Sequence, residues 1–237
     1  MSPAYKVYML EIFDLLFPTL CTGCRSYGVL LCHSCFKSIA AAQQFCIGCN
    51  KPSVDGKTCA NCLSQNKLLP DQLICASNYK QELTSKIIGT LKYVGVKNLA
   101  NTCAQIASDF LHKNFKPEDL FYLKQIFYIT YVPMHKNKQI ARGFNQAELI
   151  ANSLGKMLSM PVLGLLQKTR KTKAQMGLNK EQRLSNIQGA FTAFDCADKN
   201  ILLVDDVLTT GSTMRECAQE LKKAGANKVY CLAIAKD

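Results

Sequence analysis

Four C-x-x-C pairs within the first 62 residues constrain this chain more than any other feature. They hold eight of its thirteen cysteines, as Cys21/Cys24, Cys32/Cys35, Cys46/Cys49 and Cys59/Cys62. Each pair can supply two thiolates from one tight turn, and zinc prefers four thiolates in tetrahedral geometry. Two pairs therefore close one metal site, and four pairs are enough for two sites.

The spacing favours sequential pairing of these turns, although an interleaved arrangement stays open. Only seven residues separate Cys24 from Cys32, a short span for a zinc ribbon, so we predict one or two zinc ions. Four thiolates leave no open coordination position, and the zinc is therefore expected to be structural. Metal binding, at about 10–16 kcal/mol per site, would supply most of the folding energy of so small a segment. Redox-active pairs or free thiols are the alternative.

The chain is strongly basic, and its excess charge is clustered. It carries 29 lysines and arginines against 17 acidic residues, and the segment 131–183 holds ten of the former against two of the latter. Such clustering is typical of a protein that binds a polyanion, although a solvated face is the simpler alternative. With 48% hydrophobic residues the chain is not intrinsically disordered.

The sequence lacks the long apolar run that a membrane span requires. The best candidate, residues 7–17, is interrupted by Glu11 and Asp14, which also spoil it as a signal peptide. We therefore expect a soluble, cytoplasmic protein in which disulfides are disfavoured.

Strand-like and helix-like segments alternate beyond the cysteines. The patterns predict strands at 73–79, 126–132, 201–204 and 228–235, and helices at 81–93, 97–114, 145–158 and 212–223. Such alternation indicates an α/β fold with a mainly parallel sheet flanked by helices. The predicted organisation is an N-terminal helix at 1–17, a cysteine-rich zinc module at 18–66, and an α/β domain at 67–237.

The run ILLVDDVLTTGST at 201–213 predicts a ligand site. Asp205 and Asp206 come at the carboxyl end of an apolar strand, where ligands bind in open α/β sheets. The loop that follows leads into a helix, whose first N–H groups and positive dipole end attract an anion. The predicted phosphate cradle consists of Thr209, Thr210, Gly211, Ser212 and Thr213. The two carboxylates would accept hydrogen bonds from hydroxyl groups of the same ligand.

This run resembles the phosphoribosyl pyrophosphate (PRPP) signature of type I phosphoribosyltransferases. The resemblance implies the type I phosphoribosyltransferase fold and PRPP bound with Mg²⁺. It also implies a pyrophosphate loop at Met134, His135 and Lys136. A mobile basic loop that contacts pyrophosphate or DNA would contain Lys168, Arg170, Lys171, Lys173 and Arg183.

Three features together resemble the ComF/ComFC family of bacterial competence proteins. They are the cysteine module, the segment Arg142-Gly143-Phe144-Asn145-Gln146, and a later pattern of Gln175, Leu178, Arg183, Asn186 and Gly189-Ala190-Phe191. The resemblance implies binding and handling of incoming single-stranded DNA during natural transformation. It further implies work at the cytoplasmic face of the inner membrane, with a DNA translocase and a recombinase loader as partners.

Two functions follow from these observations. The first is a DNA-binding competence protein that retains a PRPP-binding loop, with Arg142 as a DNA contact or as an internal ion-pair partner. The alternative is an active PRPP-dependent phosphoribosyltransferase that acts on an unknown acceptor. The sequence identifies no catalytic residue for such a transfer.

Overall fold

A computed structural model of the chain describes residues 18–172 and 185–237. The chain divides into two compact units, Met1–Ile39 and Ala40–Asp237. The division falls inside the segment 18–66 that the sequence suggests as one module, so the predicted domain bounds stay a prediction. The N-terminal helix predicted at 1–17 lies outside the described residues. No helix among the described residues combines the length and apolar character of a membrane span.

The smaller unit holds the first two cysteine pairs and has very little hydrophobic core. The backbone of Leu20 pairs with that of Tyr27, and helix α1 (His33–Lys37) contains one cysteine of the second pair. Among residues 18–39 only Cys21 is buried. A segment with so little burial depends on metal ligation for its fold.

The larger unit is built on a four-stranded parallel sheet. Its strands are β1 (Gln72–Asn78), β2 (Phe127–Tyr131), β5 (Asn200–Leu208) and β6 (Lys228–Lys236), in the order β1-β6-β5-β2. Strands β3 (Leu166–Lys168) and β4 (Phe191–Ala193) form a separate antiparallel pair. The parallel strands are apolar and mostly buried, as expected for a sheet covered on both faces.

Helices cover both faces of the sheet. In chain order they are α2 (Ala60–Gln65), α3 (Glu82–Gly89), a π-helix (Thr90–Val94), α4 (Leu99–Asn114), α5 (Pro117–Ile126), α6 (Lys136–Arg142), α7 (Gln146–Leu158) and α8 (Ser212–Lys223). Helices α4 and α7 pack together on the sheet. Helix α8 lies on the other face, where Cys217 and Leu221 join Phe191 in one apolar cluster with alternate residues of the strands.

The third and fourth cysteine pairs belong to the larger unit. The side-chain amide of Gln44 donates to the carbonyl oxygen of Cys75 at 2.8 Å and accepts from the backbone N–H of Cys75 at 3.0 Å. This amide satisfies backbone groups of β1, which is an edge strand. Gly56 packs so closely that a Cβ there would lie 1.8 Å from the carbonyl oxygen of Leu73. The cysteine segment is therefore joined closely to the sheet.

The predicted α/β fold is confirmed, and several elements differ from expectation. Strand β5 extends to Leu208, so the aspartate pair lies within the end of the strand and not after it. The helix expected at 81–93 is α3 followed by the π-helix. Lys136 was expected in a loop but begins α6, because the His135 side chain caps the helix by accepting from the N–H of Asn137.

Candidate functional site

A pocket of about 730 Å³ opens at the carboxyl end of the parallel sheet. This is the edge at which open α/β sheets bind ligands, and the volume suits a small-molecule site. Its lining comes from the π-helix, the segment after β2, helix α6, the end of β3, and the stretch from β5 into α8. The pocket thus gathers most of the sequence-predicted site residues.

The aspartate pair is held by a lysine that sequence analysis missed. The amino group of Lys92 lies 2.7 Å from Oδ1 of Asp206, and both side chains are largely buried. Burial opposes the charge of Lys92, but the Asp206 carboxylate outweighs it and raises the pKa of Lys92. Burial, together with the negative charge of Asp206, raises the pKa of Asp205 to about 7. The Asp205 carboxyl therefore has a pKa near neutral pH.

The loop after β5 is shaped as an anion cradle. Gly211 adopts a left-handed conformation (φ 73°) at the N-cap of α8, a helix of 12 residues. The backbone N–H of Ser212 lies 3.4 Å from the hydroxyl of Thr210, which also contacts the Ser212 hydroxyl at 3.0 Å. Thr209, Gly211, Ser212 and Thr213 line the pocket, and Thr210 lies outside that lining. Thr210 therefore belongs to the internal support of the loop.

Arg215 joins this loop to the third cysteine pair. Its Nη2 donates to the carbonyl oxygen of Thr210 at 2.9 Å, and its Nη1 donates to that of Ile47 at 3.1 Å. Ile47 lies between Cys46 and Cys49, and a Cβ on Gly211 would meet the Ile47 side chain at 3.7 Å. Burial lowers the pKa of Arg215. A turn of the cysteine segment therefore supports the backbone of the predicted phosphate cradle, residues 209–213, which we call the phosphate loop.

Basic side chains from separate segments converge on the pocket. Those that line it are Lys92, Lys138, Arg142, Lys168 and Lys171. Burial, and then the charges of Arg142 and Lys92, lower the pKa of Lys138. Burial likewise lowers the pKa of Lys168. Such crowding disfavours the cations until an anion enters, so the pocket is suited to phosphate groups.

The other predicted basic and pyrophosphate-loop residues divide into three groups. Met134 and His135 line the pocket, whereas Lys136 is absent from the described lining. Arg170 instead donates to the carbonyl oxygens of Asn186 at 3.1 Å and Gln188 at 2.8 Å. Lys173 and Arg183 lie outside the described residues, as do Gln175 and Leu178.

The eight paired cysteines form two tetracysteine clusters, grouped sequentially. Within each cluster all four sulfur atoms lie within 4.8 Å of one another. The Sγ atoms of Cys24 and Cys32 are 3.6 Å apart, and those of Cys46 and Cys59 are 3.8 Å apart. Tetrahedral zinc thiolates place their sulfurs about 3.8 Å apart, so both clusters fit structural zinc.

One thiol of each cluster favours the thiolate form that zinc requires, whereas neighbouring cysteines raise the pKa of Cys35 and of Cys62 to about 12. Burial alone would raise the pKa of Cys21, but backbone N–H groups of Cys32, Cys24 and Gly23 outweigh it and lower the pKa to about 6. Cys46 shows the same balance, with backbone N–H groups of its own cluster, and its pKa is also lowered to about 6.

Comparisons with known proteins agree with this architecture. Residues 12–63 match the double zinc ribbon domain, and residues 141–237 match the phosphoribosyl transferase domain. Competence protein F of Haemophilus influenzae is 28% identical, over 87% of this chain and 90% of its own length. Competence protein ComFC of Streptococcus pneumoniae is 27% identical, over 87% of this chain and 99% of its own length. This chain is therefore similar to ComF and ComFC competence proteins along most of its length.

Two further comparisons give similar results. DNA utilization protein YhgH of Escherichia coli is 28% identical to this chain, over 91% of this chain and 96% of its own length. Among solved structures, a purine phosphoribosyltransferase from Pyrococcus horikoshii is 17% identical with a TM-score of 0.35, covering 58% of this chain and 83% of that one.

Sequence reasoning missed Lys92, Tyr93 and Arg215. Lys92 and Tyr93 lie at the end of the helix predicted at 81–93, where no motif distinguishes them. Arg215 falls in the first turn of α8, immediately after the predicted cradle. A cation is disfavoured at the positive end of a helix. The position of Arg215 there is therefore the one signal in the local sequence that its side chain could have a specific hydrogen-bonding role.

Proposed function

We propose that this chain is a competence-type protein that binds single-stranded DNA in the pocket at the end of its parallel sheet. One observation carries the proposal: basic side chains from several separate segments converge beside a loop suited to phosphate. The names of its relatives, competence protein F and DNA utilization protein, point to the same partner. A strand held mainly by its phosphates would show little sequence preference.

The proposed DNA contacts come from two sides of the pocket. Lys138 and Arg142 belong to α6, whereas Lys168 and Lys171 come from β3 and the segment after it. Lys173 and Arg183 would continue the basic segment. Arg170 would have to leave its two carbonyl partners to join them.

A salt titration tests the DNA-binding proposal. We expect the affinity of purified, zinc-loaded protein for a labelled oligothymidine to fall steeply with salt, by a log–log slope of about 0.7 per phosphate contact. The double variant Lys138→Gln/Arg142→Gln should reduce that slope by about 1.4. Lys113→Gln/Lys116→Gln, which removes the same charge outside the pocket lining, is the matched control. Salt-independent binding, or equal effects of the two variants, would contradict the proposal.

The same proposal retains PRPP and Mg²⁺ as ligands of the pocket. The 5′-phosphate would take the N–H groups at Gly211, Ser212 and Thr213, and Asp205 and Asp206 would accept from the ribose hydroxyls. Met134, His135 and neighbouring lysines would face the pyrophosphate. Calorimetric titration of PRPP with Mg²⁺ should show binding that Asp205→Asn/Asp206→Asn weakens at least tenfold. Unchanged PRPP affinity in that variant would contradict the assignment of Asp205 and Asp206 to the ribose hydroxyls.

An active phosphoribosyltransferase is the second candidate function. It is favoured by the carboxyl pair beside the phosphate cradle, since one of these groups titrates near neutral pH. Release of pyrophosphate from PRPP, measured with free bases, nucleosides and single-stranded DNA as acceptors, tests this function. Turnover that depends on one acceptor, and that Asp205→Asn/Asp206→Asn abolishes, would establish an enzyme. Binding without acceptor-dependent turnover would leave the DNA-handling role.

The proposed setting rests on the similarity to competence proteins. A protein that receives incoming single strands would work in the cytoplasm at the inner face of the membrane, beside a DNA translocase and a recombinase loader. Cell fractionation during competence, followed by crosslinking with imported labelled DNA, tests the setting. Recovery of the protein without imported DNA would count against it.

A further inference from the structure

A recess of about 420 Å³ adjoins the pocket, and its aromatic residues have no role in the functions proposed above. Its lining consists of Lys92, Tyr93, Val94, Gly95, Lys138, Ala141, Arg142 and Phe144. Lys92, Tyr93, Lys138 and Arg142 line the pocket as well. The recess is therefore a continuation of the pocket.

An exposed aromatic ring forms one wall of this recess. Tyr93 is 73% exposed, although it directly follows Lys92, whose amino group is paired with Asp206. Both residues lie on the π-helix, a form of helix that is frequent at functional sites. The backbone that carries the ring is thus anchored through its neighbour, while the ring itself stays accessible.

Cations surround the ring. The guanidinium carbon of Arg142 lies 5.5 Å from the Tyr93 ring centroid. Phe144, only 8% exposed, adds a second aromatic ring, and the amino group of Lys97 lies 5.4 Å from its centroid. None of the described residues that line the recess is acidic. An aromatic surface among cations is the combination with which proteins hold single-stranded nucleic acids.

We propose that Tyr93 and Arg142 form a stacking subsite for one nucleobase of a bound DNA strand. The base would lie against the phenol ring and the planar guanidinium, both of which stack on flat heterocycles. Neighbouring phosphates would then meet Lys138 and the basic side chains of the pocket. This inference rests on the proposed DNA binding, and it adds a base contact to a set of otherwise phosphate-directed contacts.

A base within a strand fits the recess better than a free base does. The recess is open, and its charged groups are all basic, whereas a free neutral base has no charge for them to neutralise. A strand supplies phosphates on both sides of the stacked base. The charge of the recess therefore favours the strand.

An exposed tyrosine by itself is ordinary, and the chain offers a matched example. Tyr122 is 52% exposed, and its ring centroid lies 5.9 Å from the amino group of Lys228. It resembles Tyr93 in exposure and in having a nearby cation, but it lines neither the pocket nor the recess. Tyr122→Ala is therefore the control for Tyr93→Ala.

The experiment compares an oligothymidine with an abasic oligomer of equal length and charge, using zinc-loaded full-length protein. We expect the protein to bind the oligothymidine more tightly. Tyr93→Ala should lose roughly tenfold in affinity for the oligothymidine and little for the abasic oligomer, since stacking is worth about 1–3 kcal/mol per base. Tyr93→Phe should retain most of the affinity, and Tyr122→Ala should resemble the unaltered protein.

The outcomes separate this inference from the proposed function. Equal affinity of the unaltered protein for both oligomers would overturn the stacking subsite and leave DNA binding intact. An equal loss on both oligomers in Tyr93→Ala would also overturn it, because the ring would then act on the fold or on the phosphates. Failure to bind either oligomer would overturn the proposed function, and the subsite with it. Thymine that competes as well as the oligomer would overturn the assignment to a strand.

Discussion

The guanidinium of Arg215 donates a hydrogen bond to the carbonyl oxygen of Ile47 at 3.1 Å. Ile47 lies inside a cysteine turn, whereas Arg215 lies in the first turn of the helix that follows the phosphate loop. The same guanidinium holds the loop itself through Thr210. The second cluster and the proposed ligand site are therefore joined by one side chain.

Replacing Arg215 should loosen the phosphate loop. Arg215→Met keeps much of the side-chain length but removes both hydrogen bonds, so we expect a stability loss of about 1–3 kcal/mol. PRPP affinity should fall as well, because the Thr210 carbonyl loses its support. Urea denaturation and calorimetric titration measure the two effects. Arg170→Met, which removes a guanidinium bonded to two other carbonyls, is the control; equal effects of the two on PRPP affinity would contradict the expectation.

Loss of the second zinc ion should affect the larger unit. Cys46→Ser/Cys49→Ser removes ligands from the cluster whose turn supports the phosphate loop, so we expect one fewer zinc per chain, a lower melting temperature and weaker PRPP binding. Zinc content by mass spectrometry confirms which ion is lost. Cys21→Ser/Cys24→Ser removes the ion of the smaller unit for comparison. If PRPP affinity is unchanged after loss of the second zinc ion, the second cluster does not support the phosphate loop, and the expectation is contradicted.

Replacing only one partner of the Lys92–Asp206 ion pair should lower the stability of the protein strongly. Lys92→Met leaves a largely buried carboxylate without its cation, and such losses cost about 3–5 kcal/mol. Adding Asp206→Asn should recover part of that loss, because the remaining group is neutral. Urea denaturation of the single and double variants gives the coupling energy. The exposed pair Lys113–Asp109, at the same 2.7 Å separation, should give less than about 1 kcal/mol in the same cycle.

Asp205 should make the protein less stable as the pH rises. Its pKa is raised to about 7 in the folded chain, against an ordinary value of about 3.9. The folded state then binds more protons than the unfolded state between these values. This contribution to stability is therefore fully present below about pH 4 and is lost as the pH rises through 7.

The variant Asp205→Asn tests that dependence. Its melting temperature should exceed that of the unaltered protein at pH 8, and the gain should shrink toward pH 4. Asp109→Asn, at an exposed carboxylate paired with Lys113, should show no such gain. Thermal melts of the three proteins from pH 4 to 8 measure the effect. A gain for Asp205→Asn that is constant with pH would contradict a titration of this group.

The parts of the site that are local in sequence could be predicted, and those assembled by distant contacts could not. Asp205, Asp206 and Gly211 lie in one strand–loop–helix run, so their proximity follows from chain connectivity. Lys92 reaches Asp206 only because α3 and the π-helix bring it across the sheet edge. No pattern of apolar residues in the sequence predicts the contact between Lys92 and Asp206. The spacing of apolar residues also does not distinguish a π-helix from an α-helix.

The same limit applies to the cysteines and the hairpin. The C-x-x-C spacing favoured the sequential pairing that the two clusters show, since each turn is local, but it left open one or two zinc ions. It could not indicate that the second cluster belongs to the larger unit, because that depends on contacts such as Gln44 with Cys75. The β3–β4 pair was missed because each strand is three residues long, too short for an alternation to show.

Strand β5 is hydrogen-bonded to β6 on one side and to β2 on the other. The ladder with β2 ends at Val204, directly before the aspartates, and the ladder with β6 continues past them. The aspartates therefore cannot shift without disrupting the ladder with β6, whereas most of the loops and short helices around them carry no such restriction. Change during evolution should follow that division: substitutions that alter what the pocket accepts can accumulate in α6 and the basic segment at little risk to the fold, whereas Lys92 of the π-helix is constrained by its pair with Asp206. The carboxyl pair would then remain as the fixed reference point around which new specificities arise.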